Sequence, residues 1–156
     1  MKPASISEIK SALKEATPAE LTELCLRLAR YKKENKELLS FLLFEAADVD
    51  KYMAGVKEET ETLFEEVNTS NLFWAKKSVR KILRIINKHI KYTGSKTAEV
   101  ELLIHFCKTI KSSKIAYTKS PALLGLYNNQ LKKIDAAIAT FHEDLQHDYI
   151  KERGNL

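Results

Sequence analysis

The sequence predicts an all-α protein of about seven helices, and three observations point there. Gly and Pro number only four and three in 156 residues, where an average chain of that length carries about 19. So few punctuators leave few tight turns, which argues against an all-β fold. Lys, Glu, Leu, Ala and Ile dominate, and these are mostly good helix formers. Finally, apolar residues recur at i, i+3, i+4 and i+7 in blocks that open on capping residues.

Taken in order, Ser5 with Glu8 forms a capping-box pattern ahead of Ile6, Ile9 and Leu13. Thr17-Pro18-Ala19-Glu20 is a stronger start, with a cap, a proline at the first helical position and the box glutamate. Leu21, Leu24, Cys25 and Leu28 follow, and Arg30, Lys32 and Lys33 suit the negative end of that helix dipole. Asn35 is expected to cap a third helix. Leu38, Leu39, Phe41, Leu42, Leu43 and Phe44 make it apolar on most faces, so it is expected to be central.

Asp48 or Asp50 caps a fourth helix with Tyr52, Val56, Thr60, Leu63 and Val67 inside and Glu58, Glu59, Glu61, Glu65 and Glu66 outside. The fifth runs from about 71 to 92 with Leu72, Ala75, Val79, Ile82, Leu83, Ile86 and Ile90 on one face, and Gly94 ends it. Ser95 caps a sixth, with Val100, Leu103, Ile104, Cys107 and Ile110 inside, and 112–119 is a loop. A last helix is expected from Ser120-Pro121 to about Tyr149. Its residues Leu124, Tyr127, Leu131, Ile134, Ile138, Phe141 and Leu145 alternate three and four apart, a coiled-coil-like seam. The intramolecular reading of that seam is preferred over pairing with another chain.

Short connections favour antiparallel hairpins, closed as an irregular bundle or a short α-solenoid-like superhelix. No linker or fixed-period repeat interrupts the chain, so residues 1–156 are read as a single helical domain. No apolar run reaches the roughly 18 residues of a membrane span, and MKPASISEIK has no apolar core of a signal peptide. Cys25 and Cys107 lie on apolar helix faces with no CxxC, which suggests two buried, reduced thiols and a cytoplasmic setting.

Charge is segregated along the chain. From Glu45 to Glu66 there are eight acidic and two basic residues; from Val67 to Ala98 there are eight basic residues and no acid. On a helical wheel Lys76, Lys77, Arg80, Lys81, Arg84, Lys88 and Lys91 fall on one side of the fifth helix, a cationic ridge about 22 Å long from the rise per residue. Phe73 stands at its start, and Trp74, Ile85 and Tyr92 border it. A solvated face, or one paired with the acidic helix before it, is the plain alternative to a binding surface for an anion.

No GxGxxG, P-loop or GxSxG is present. Glu143, Asp144, His147 and Asp148 crowd one helix end but lack the paired Glu-x-x-His of a carboxylate metal bundle, so no metal or cofactor is expected. His105 one turn after Glu101 reads as a helix-surface pair, and His89 as solvated.

The phrases ELCLRLARYKKENKELLSFLLFEA, EEVNTSNLFWAKKSVRKILRIINKHIKYTG and FHEDLQHDYI resemble those of a family of small all-helical bacterial proteins with no established activity. That resemblance implies a bacterial cytoplasmic setting. The expected function is a non-enzymatic interaction module for a protein partner, as monomer or homodimer and with no membrane role. The alternative is a nucleic-acid-associated protein using the basic face near 71–92. An enzyme with a dispersed site ranks third.

Overall fold

In the computed structural model, which describes residues 1–156, the chain is all-helical: eight α-helices, a π-helical turn and a 3-10 turn, with no strand. The sequence suggests one domain; by its contacts the chain forms two compact units, 1–45 and 46–156.

The first unit holds α1 (Ile6–Glu15), α2 (Pro18–Tyr31), α3 (Lys33–Ser40) and the π turn Phe41–Glu45. Both expected capping boxes form. Ser5 Oγ accepts from the Glu8 amide while the Glu8 carboxylate accepts from the Ser5 amide at 2.7 Å, and Thr17 with Glu20 repeats the arrangement. These bonds hold both glutamate carboxyls below their usual range. Asn35 does not cap α3, which starts two residues earlier; its side chain instead donates to the Leu28 carbonyl at 2.8 Å, closing the α2–α3 hairpin.

The third helix is not central, contrary to expectation. Phe41 is buried, but Leu42, Leu43 and Phe44 are 56%, 64% and 77% exposed. An all-round apolar surface announces burial only when enough neighbours exist to cover it, and within its unit α3 packs mainly on one helix, α2.

The second unit contains α4 (Val49–Glu65), α5 (Leu72–Thr93), α6 (Lys96–Ser112), α7 (Pro121–Ile138) and α8 (Glu143–Arg153). Asp48 caps α4, Asn71 caps α5, Ser95 caps α6 and Ser120 caps α7. Gly94 closes α5 at φ 59°, the left-handed conformation that glycine adopts without a Cβ penalty.

The central helix is α6. It buries Ala98, Val100, Leu102, Leu103, Ile104, Phe106, Cys107 and Ile110 and packs against α4, α5 and α7. Tyr52 near the start of α4 meets His89 near the end of α5, so those two run antiparallel. Lys57 meets Glu101 and Glu61 meets His105, so α4 and α6 run parallel. The inner face of α4 is Met53, Val56, Thr60 and Phe64, with Tyr52 and Leu63 at its edge.

The single long last helix is also corrected. It breaks at 139–142, where the amides of Ala139, Thr140 and Phe141 bond to carbonyls three or four residues back, and α8 then folds onto α7. The buried face of α7 is Leu123, Tyr127, Gln130, Ile134, Ala137 and Ile138, whereas Leu145 is exposed on α8. The 3-4 spacing across the break therefore never becomes one seam.

Candidate interaction surfaces

The cationic ridge lies where its wheel places it. Ala75, Val79, Ile82, Leu83 and Ile86 bury one face of α5. On the other side Lys77, Arg80, Lys81, Arg84 and Lys91 are exposed, and Lys76 and Lys88 are half-buried. No carboxylate stands within 4 Å of Lys76, Lys77, Arg80, Lys81, Arg84 or Lys91.

The ridge's N-terminal end carries aromatic rings. Asn71 Oδ1 accepts from the amides of Phe73 and Trp74 and fixes the first turn. Phe73 and Trp74, both about half exposed, meet edge to face at 5.4 Å. Lys77 Nζ lies 4.7 Å from the Phe73 ring centre and 4.8 Å from that of Trp74, within cation–π range. Lys88 stands 5.9 Å over Tyr92.

Two carboxylates of the acidic face of α4, those of Glu59 and Glu61, turn to histidines. Glu59 Oε2 lies 3.6 Å from His89 Nε2, and His89 Nδ1 shares a 2.6 Å hydrogen bond with the Tyr52 hydroxyl. His89 is thus a clasp between α4 and α5, not the solvated side chain its neighbours in sequence suggest. His105 pairs with Glu61 at 3.4 Å and not with Glu101. Its Nε2 is buried and lacks hydrogen-bond geometry to any partner, and burial lowers its pKa from the ordinary value, against the pull of Glu61. Glu101 is taken by Lys57 at 3.0 Å and by the Tyr149 hydroxyl at 2.9 Å.

A second surface was not anticipated. In the first 45 residues only Phe41 is buried, yet Ile6, Ile9, Leu13, Leu24, Leu26, Leu28, Tyr31, Leu42, Leu43 and Phe44 are all exposed. In residues 46–156 the exposed large apolar side chains are Phe73, Trp74, Leu145 and Ile150. Cys25, expected to be buried, is exposed on the wall of the α2–α3 groove, with Leu28, Ala29, Leu38, Leu39 and Leu42. The sequence signal of this surface is a mismatch between helices apolar on more than half their circumference and only two or three helices to cover them.

No group of three or more His, Cys, Asp or Glu is placed to hold a metal ion, and no helix is long and apolar enough to cross a membrane. A cleft in the second unit is lined by Glu61, Glu65, Thr69, Thr109, Ser112, Ser113 and Lys114. It brings hydroxyls near two carboxylates, one of which, Glu61, also faces His105.

This chain matches no known protein family, characterised protein or solved structure. The resemblance to small helical bacterial proteins has no support there, and function rests on the surfaces themselves.

Proposed function

We propose that this protein is a non-enzymatic helical interaction module that binds a protein partner through its first 45 residues. The carrying observation is the contrast in burial between its two units: Leu24, Leu28, Tyr31, Leu43 and Phe44 stay exposed while α6 buries eight side chains. Exposed apolar side chains concentrated in one unit are what an interaction site presents, and α2 with α3 offers a groove of the kind that an amphipathic helix fills. The setting we read for it is cytoplasmic, in keeping with two free thiols. The experiment is affinity capture with the full chain against its Leu28→Asp variant. A stoichiometric protein held by the first and lost by the second is expected; equal capture by both removes this reading.

A second reading, binding to nucleic acid, is supported by the ridge. Six cations with no carboxylate within 4 Å lie along one side of α5, and Lys76 and Lys77 at its start stand against two half-exposed rings, a combination suited to tracking phosphates and stacking on unpaired bases.

A further inference from the structure

The following rests on the protein-binding reading and names the partner. We infer that the first unit pairs with a second copy of this chain, with α2 against α2 in antiparallel, two-fold fashion.

Helix α2 is apolar over more than half its circumference: Leu21, Leu24, Cys25, Leu26, Leu28, Ala29 and Tyr31 leave only a narrow arc to Glu23, Arg27 and Arg30. α3 covers the side of Ala29. What remains is Leu21, Leu24, Leu28 and Tyr31, spaced three, four and three apart, which is the spacing of a helix–helix seam. Leu24, Leu28 and Tyr31 are 45%, 61% and 77% exposed.

Charge selects the occupant. Along one flank of this stripe Glu20 and Glu23 lie in the first half of α2, and Arg27 and Arg30 in the second. Two copies side by side in parallel would bring acidic end to acidic end and basic to basic. A two-fold axis across the helix sets the acidic half of each copy against the basic half of the other, twice over, and it also opposes the helix dipoles. A patch complementary to itself is what a two-fold interface requires.

A standard interface takes about 800 Å² from each partner, more than one helical stripe supplies, so the contact must reach past α2; the exposed Leu42 shares the groove with Leu28 and extends the face.

Cys25 gives the geometry a direct readout. It lies one residue from the middle of the stripe, so the two-fold axis brings two exposed Cys25 thiols close together, while Cys107 is fully buried in its own core.

The test is sedimentation equilibrium and light scattering on the full chain, with a short bis-maleimide as cross-linker. The expected result is twice the 17.8 kDa monomer mass, with a cross-linked dimer that Cys25→Ser abolishes. Leu28→Asp should be monomeric with unchanged helical circular dichroism. Arg27→Glu, a surface change that leaves the stripe and the caps intact, should weaken dimerisation about tenfold or more by setting like charges together; it keeps the test sharp if Leu28→Asp does not fold. A monomer at high concentration overturns the inference, as does a dimer indifferent to Arg27→Glu and not cross-linked through Cys25. A monomer that still captures a different protein through Leu28 overturns the inference while leaving the interaction reading in place.

Discussion

The Tyr149 hydroxyl of α8 donates to Glu101 Oε1 of α6 at 2.9 Å, and the other oxygen of that carboxylate takes Lys57 of α4 at 3.0 Å. One carboxylate therefore ties the last helix and the first helix of the second unit to the central one. Arg153 adds a second tie for α8, with two bonds to Asp135 of α7 at 2.8 and 3.1 Å.

Removing that hydroxyl with Tyr149→Phe should cost about 1–2 kcal/mol, the range for a partly exposed hydrogen bond to a charged acceptor. Urea denaturation measures it. Burial first, and then the bond to Glu101, raise the Tyr149 pKa above its ordinary value. The proton is thus held more tightly in the folded protein. This contribution is fully present below the unfolded tyrosine value, about 10, and is lost as pH rises through the folded one. The wild type should lose stability on that alkaline limb, and Tyr149→Phe should lose less.

Ile134 is fully buried on α7, whereas Leu145 on α8 is 38% exposed. Ile134→Ala should cost about 2–5 kcal/mol through lost burial and a cavity. Leu145→Ala should cost under about 1 kcal/mol. Equal costs would mean that the two share one packed seam after all.

The two thiols should react very differently. Cys25 is exposed; burial pushes the Cys107 thiol up to about 12, so almost no thiolate exists near neutrality. A thiol reagent should label one cysteine per folded chain and both in denaturant. Prompt labelling of Cys107 in the folded protein would contradict the packing of α6.

For the ridge, the variant of choice is Arg80→Gln with Lys81→Gln and Arg84→Gln, all exposed and outside every ion pair. If the ridge holds phosphates, this triple change should weaken binding to mixed-sequence DNA or RNA and flatten the slope of log affinity against log salt by up to about 3, at about 0.9 per duplex contact. Its thermal unfolding should match the wild type. Absence of wild-type binding at about 50 mM salt would remove the nucleic-acid reading and leave the ridge as either a solvated face or a surface for an acidic protein.

Helix starts were legible because a cap acts within one turn: Ser5 with Glu8, Thr17 with Glu20, and Asn71 with Phe73 and Trp74 are covalent neighbours, so their bonds form wherever the chain goes. The ridge was legible for the same reason, since a wheel depends only on the helix itself. The limits of that logic show at 139–142, where an unbroken apolar spacing gave no sign that α7 would stop. Stopping lets α8 turn back onto α7, a gain that no local pattern records.

By itself, then, the sequence determined the helices, most of their caps and the side of α5 that is basic. Only the tertiary structure decided which apolar faces find cover. Leu38 to Phe44 and Leu102 to Cys107 read alike as apolar segments, yet the first is largely exposed and the second forms the core. His89 reaches Tyr52 across 37 residues, where no local pattern could connect them. Burial is a property of how many neighbours surround a face, and the neighbours of a helix come from distant parts of the chain.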